Sequence, residues 1–206
     1  MSNLGMDVLE AIASRRSVRK FSSRPVEREK IERALLAASQ APSAKNRQNW
    51  RFVVAQGESK AQMISAMGAG IEAFERGDGF FRPVGPLLAD ARFSMDVMDR
   101  APAVIFVINT KGAPLDKALS PAERMADLLG VQSVSAAIEN LLLAAHAQGL
   151  GTLWVGNVFF AYRELTSWLG LEAREQMMAA VVVGYPDEPP KSRPEKSLEK
   201  LVQWRE

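Results

Sequence analysis

The chain has 206 residues, 47% of them apolar and 24% charged, with a formal net charge of +2 and a pI of about 9.0. That is enough for one domain with a sizeable core, and too little excess cation for a protein that coats nucleic acid. The absence of cysteine excludes disulfides and thiolate metal sites, and the single histidine, His146, argues against a histidine metal centre or a Ser–His relay.

The first five residues, Met1 to Gly5, lack a charged-then-apolar leader pattern. No uninterrupted apolar stretch reaches the ~20 residues of a bilayer span, so a cytoplasmic protein is expected. A short amphipathic stretch, Val8-Leu9-Glu10-Ala11-Ile12, leads into the cation run Arg15-Arg16-Ser17-Val18-Arg19-Lys20-Phe21. Val26 to Ser39 predicts a helix, with Ile31, Ala34, Leu35 and Ala38 on one face. Ala41 to Asn49 is loop-like, and Trp50 to Ala55 predicts a strand. Ser59 to Phe74 follows as a helix. Gly77 to Gly85, punctuated by Gly and Pro, reads as a mobile surface segment, and Leu87 to Arg100 as another helix.

Pro102 to Ile108 is a continuous apolar run, the pattern of a strand buried on both faces. Ser120-Pro121-Ala122-Glu123 has the form of a helix start, and Val131 to Gln148 carries a wide apolar stripe ended by Gly149. Gly151 to Gly156 predicts a short strand, Phe160 to Leu169 a short helix, and Ala179 to Tyr185 a last strand. Asp187 to Pro194 is extended, and Leu198, Leu201, Val202 and Trp204 form an apolar tail. Uneven interleaving of helices and strands favours an α+β fold in one domain, residues 1–206. The tail either folds back on its own domain or is exchanged with a second copy.

The cation run admits two readings: forked guanidinium donors for a phosphate, or a solvated charged face. A second cationic element, Pro190-Lys191-Ser192-Arg193-Pro194, favours the first, because two separated elements could share one anion. No glycine-rich phosphate loop is present: Gly149-Leu150-Gly151 lacks a third glycine and ends a helix instead of opening one. No carboxylate pair or activated nucleophile stands out, and His146 reads as a structural or helix-capping group. An enzyme with this inventory needs a cofactor for its chemistry.

Four segments resemble the signatures of the FMN-dependent nitroreductase family: Arg15 to Phe21, Ala41 to Phe52, Gly149 to Gly156, and Gly184-Tyr185-Pro186 followed by Lys191-Ser192-Arg193. They occur in the family's order and spacing and span most of the chain. The resemblance implies a mostly antiparallel sheet flanked by helices, in an intertwined homodimer with exchanged C-terminal extensions and FMN at the subunit interface. It implies that Arg15 and Ser17 meet the flavin phosphate and ribityl chain, with Arg16 alongside, and that Lys191 and Arg193 complete the phosphate grip. Arg19 is implied at the pyrimidine edge, where a cation stabilises reduced flavin. Pro42, Ser43, Ala44, Asn46 and Gln48 are implied to come from the other subunit, and Trp154, Val155 and Gly156 to pass one flavin face.

The expected activity is reduction of the flavin by NADH or NADPH, then electron transfer to a nitroaromatic, quinone or conjugated carbonyl compound, with no side chain required as acid or base. Phe80, Phe81 and Phe93 are candidates for an acceptor-side lid. The alternatives are other flavin chemistry on the same fold (reductive dehalogenation or flavin fragmentation) and a non-catalytic anion- or nucleic-acid-binding module. One departure stands out: Asn49 occupies the place where the family commonly has proline, which is expected to loosen the loop.

Overall fold

The computed structural model describes residues 6–80, 85–189, 194 and 196–205. Four strands, β1 (Trp50–Ala55), β2 (Ala103–Asn109), β3 (Gly151–Val155) and β4 (Gln176–Gly184), form one sheet in the order β1-β2-β4-β3, every neighbouring pair antiparallel. Among the described residues six α-helices surround it: α1 (Val8–Ser14), α2 (Arg28–Ser39), α3 (Gly57–Arg76), α4 (Gly85–Arg100), α5 (Pro121–Ala147) and α6 (Tyr162–Trp168). The fold is α+β, as the interleaved pattern predicted.

Strand side chains alternate between two faces, and here both faces are covered. Ala103, Ile105 and Val107 of β2, with Val181 and Val183 of β4, meet α5 through Val134, Ile138 and Leu141 and α2 through Ile31 and Ala34. Val104, Phe106, Ala180 and Val182 face the other way, against Met63, Met67 and Ile71 of α3, Met98 of α4 and Leu165 of α6. This is why β2 is apolar from Ala103 to Ile108: all seven of its residues are buried, the last being Asn109. Each large side chain there contributes about 1.5–3 kcal/mol of transfer free energy.

Local signals set most boundaries. Asp7 caps α1 by accepting from the Leu9 amide. The Ser120–Glu123 capping box starts α5, which runs unbroken to Ala147 and joins what the sequence suggested as a separate start and helix. Gly149, at φ +77°, ends it: its amide donates to the His146 carbonyl and the Leu150 amide to the Ala145 carbonyl. Contrary to the expectation from uninterrupted apolar runs, α5 has the length and composition to cross a membrane, but 44% of that window is buried and its stripe packs on the sheet. It serves as a core helix.

Other boundaries shift. Helix α2 begins at Arg28, with Glu27 at its cap. Strand β4 begins at Gln176, three residues before the predicted start, beyond a register shift opposite Val107 and Ile108. The predicted helix at Phe160–Leu169 is a 3-10 turn, Asn157–Ala161, followed by α6. Residues 81–84 of the segment expected to be mobile lie outside the described residues; before them, Phe80 packs on Tyr162 with ring centroids 4.8 Å apart. In the tail, Leu198, Leu201 and Trp204 are exposed, Trp204 at 83%, so those side chains are not folded back into the domain's own core.

Candidate active site

The cation run is stitched to the sheet. After α1 ends, Ser17 lies in a parallel bridge with Thr152 of β3, and the Val18 amide donates to the Thr152 carbonyl at 2.9 Å. Further on, Phe21 pairs with Pro186, the Ser22 amide donates to the Tyr185 carbonyl at 2.9 Å, and the Asp187 amide to the Lys20 carbonyl at 3.1 Å. Two glycines permit this close approach. A Cβ on Gly151 would lie 2.7 Å from Val18 Cγ2, and one on Gly184 2.8 Å from Phe21 Cδ1.

Around this seam the cations take distinct positions. Arg15 is half-buried, with Nε 3.6 Å from Glu139 Oε1 of α5. Arg16 Nη1 donates to the Ala13 and Arg15 carbonyls, each at 2.7 Å. Arg19 is exposed and Lys20 pairs with Glu188 at 2.8 Å. His146, on α5, lies 2.8 Å from Ser14 Oγ. That hydroxyl already donates its one proton to the Glu10 carbonyl at 2.6 Å, so it accepts from a protonated His146 Nε2. Burial first, then Arg15 and Arg16, push the imidazole below its ordinary pKa of 6.5. The predicted capping or structural role of His146 becomes a specific tie between α5 and α1.

A cleft of about 370 Å³ opens at the end of β3. Arg19 lines it with Leu153, Trp154, Val155 and Gly156, joined by Asp90, Phe93 and Ser94 from α4 and by Asn157. Strand alternation buries Leu153 and Val155 and turns Trp154 outward, 40% exposed. Asn157 Nδ2 donates to the buried Ser94 hydroxyl at 3.1 Å, fixing the cleft's inner corner. A Cβ at Gly156 would meet no atom within 4 Å, so the wall is open there.

Pro42, Ser43 and Ala44 line a different cleft, of about 280 Å³, with Leu129, Gln132, Ser133 and Ala136 of α5. The loop that follows is strained: Lys45, Asn46 and Gln48 all have positive φ, 54°, 53° and 46°. Each such residue costs on the order of 1–3 kcal/mol and persists only when its surroundings hold it. Here Ser43 Oγ accepts from the Gln48 amide at 3.0 Å, and the Ala44 amide donates to Ser133 Oγ at 3.1 Å. Gln48 Nε2 donates to Asn46 Oδ1 at 3.0 Å.

Asn49 corrects the expectation of a loosened loop. It is buried, its Nδ2 donates to Asn109 Oδ1 at 2.6 Å, and its carbonyl accepts from the Thr110 amide. The side chain supplies a tether that proline lacks. Close by, Asn109 Nδ2 and Gln176 Oε1 are buried without a partner, beside Gly112.

Within one chain, then, Arg19, Trp154, Val155 and Gly156 share a cleft, whereas Pro42, Ser43 and Ala44 line another. Arg15, Arg16 and Ser17 sit where α1 meets β3 and α5. Lys191 and Arg193 lie outside the described residues, as does Phe81. Of the lid candidates, Phe93 lines the cleft and Phe80 packs on Tyr162. Asp90, Ser94 and Asn157 were not singled out from the sequence, where nothing marks which face of α4 turns toward β3. No group of residues suited to hold a metal ion occurs among the described residues.

Residues 12–185 match the model of the Nitroreductase family. A Methanothermobacter thermautotrophicus protein, provisionally named NADH dehydrogenase/NAD(P)H nitroreductase, is 33% identical over 151 residues, 73% of this chain and 61% of its own length. The 5,6-dimethylbenzimidazole synthase of Rhodospirillum rubrum is 32% identical over 95% of this chain and 88% of its own. Among solved structures, a BluB-like flavoprotein from Clostridium difficile 630 superposes with a TM-score of 0.76 at 27% identity, covering 98% of this chain and 100% of the other.

Proposed function

The chain belongs to the nitroreductase family, which makes it an FMN-dependent NAD(P)H oxidoreductase, and from that premise we propose a homodimer whose FMN sites lie between the subunits. The observation that carries this reading is the seam between Ser17–Phe21 and the β3 edge. It pairs Ser17 with Thr152 of β3, the strand whose Trp154 and Val155 line one open cleft with Arg19 and Gly156. FMN, when bound, supplies acceptance of a hydride from NADH or NADPH and its delivery to a nitroaromatic, quinone or conjugated carbonyl compound.

The chain's own residues bind and orient. In this reading Arg15, Arg16 and Ser17 hold the phosphate and ribityl chain, with Lys191 and Arg193 completing the grip. Arg19 faces the pyrimidine edge, where its guanidinium favours the negative charge of the reduced ring. The open wall at Gly156 and the exposed indole of Trp154 suit the approach of a flat ring. Pro42, Ser43, Ala44, Asn46 and Gln48 serve the partner's flavin, consistent with their lining a separate cleft in the single chain. The exposed apolar tail is the segment exchanged between subunits. The reading places the enzyme in the cytoplasm, with the nicotinamide pool that reduces it.

An absorbance spectrum of the purified protein, then NADH or NADPH titration without oxygen, tests this directly. A yellow protein bleached by either nucleotide supports it; a colourless protein that takes up no added FMN sinks it. The variant Arg15→Ala with Arg193→Ala is expected to purify without flavin, and full occupancy there refutes the phosphate assignment.

A second reading rests on the Rhodospirillum relative. Dimethylbenzimidazole contains the same dimethylbenzene ring bearing two nitrogens that the flavin contains, so flavin fragmentation is a coherent alternative. Chromatography of protein incubated with excess FMN, NADPH and oxygen separates the two readings: accumulation of 5,6-dimethylbenzimidazole favours fragmentation.

A further inference from the structure

We propose that Asp90 selects acceptors by charge, making this a reductase of cationic or hydrogen-bond-donating aromatic acceptors and a poor one for aromatic carboxylates. The inference rests on the flavoenzyme reading above and adds the substrate class. Among the described residues, two charged side chains line the cleft at the end of β3, Arg19 and Asp90. Arg19 is committed to the flavin edge in that reading. Asp90 is in α4, and its described neighbours one helical turn away, Leu87, Phe93 and Ser94, are uncharged. Phe93, 52% exposed, and Trp154, 40% exposed, line the same cleft.

An aromatic acceptor entering this cleft therefore meets two aromatic side chains and, among the described residues, one carboxylate. A positive or N–H-bearing substituent is attracted to that carboxylate, and a negative one is repelled. The cleft is open to water, so the expected discrimination is modest: about tenfold in kcat/KM between substituents of charge +1 and −1. It falls as added salt screens the carboxylate.

The test uses the FMN-loaded protein with NADPH or NADH and three acceptors of one shape: 4-nitrobenzylamine, 4-nitrobenzyl alcohol and 4-nitrobenzoate. The readout is the ratio of kcat/KM for the amine to that for the carboxylate. Comparing this ratio between variant and parent cancels each compound's intrinsic reactivity. Asp90→Asn is expected to lower the ratio about fivefold, and Asp90→Lys to invert the order. Asp96→Asn, the same charge change on the same helix but away from the cleft lining, is expected to hold the ratio within about twofold. An unchanged ratio in Asp90→Asn, or an equal shift in Asp96→Asn, overturns the proposal. A yellow, active parent with an unchanged ratio sinks the charge selection alone, whereas a colourless and inactive parent sinks the flavoenzyme reading and this proposal with it.

Discussion

Asn49 Nδ2 donates to Asn109 Oδ1 at 2.6 Å, joining the end of the strained loop to the last residue of the central strand β2, with both side chains buried. Lys45, Asn46 and Gln48, all at positive φ, lie immediately upstream. The bond anchors one end of a loop whose conformation the backbone alone does not favour.

Asn49→Ala is therefore expected to destabilise the fold by about 1–3 kcal/mol, because a buried polar partner is lost. Urea denaturation measures it. A double-mutant cycle with Asn109→Ala should return a coupling of at least about 0.5 kcal/mol, as for side chains in direct contact. Additive costs would show that the two amides do not act together.

Gly151→Ala places a methyl 2.7 Å from Val18 Cγ2 and forces the cation run away from β3. The expected cost is about 1–3 kcal/mol of overpacking. Because Ser17 and Val18 are held at that seam, flavin affinity should weaken as well. Tm and FMN fluorescence quenching, measured on the same preparation, read the two effects. Unchanged values of both would mean that the seam yields without consequence.

His146 is the only histidine, so its ring protons can be followed by NMR without assignment. In flavin-free protein it should titrate below 6.5, for burial and for Arg15 and Arg16. The unfolded chain then binds a proton that the native chain declines. This contribution to stability is full above 6.5 and is lost as pH falls through the depressed native value. A bound phosphate offsets the two guanidinium charges, so FMN should move the titration upward. A midpoint unmoved by FMN would separate His146 from the phosphate site.

Leu198, Leu201 and Trp204 are exposed in the single chain. If they lie against a partner, changing all three to Ala should weaken self-association at least tenfold, since each large side chain loses about 1.5–3 kcal/mol of burial. Sedimentation velocity across a dilution series reads this, and an undiminished dimer assigns the interface elsewhere.

Much of the fold was legible because its signals are local. The uninterrupted apolar run became β2, the Ser120–Glu123 box began α5, and Gly149 ended it. What failed was non-local. The early start of β4 depends on a register shift against β2, which no single strand encodes. The role of Asn49 needs Asn109, a residue 60 positions away at the end of β2. Asp90, Ser94 and Asn157 became site candidates only when α4 was set against the end of β3. The cation run, by contrast, was visible as a motif, and the structure added the backbone hydrogen bonds that tie it to β3 and to the segment after β4.

The seam between Ser17 and Thr152 also orders events in time. On the ribosome, the guanidinium residues emerge early but stay unanchored until β3 has been made and paired with β4 downstream. Nascent chains and premature-stop products that end before β4 consequently lack the seam that fixes Ser17 and Val18 against Thr152.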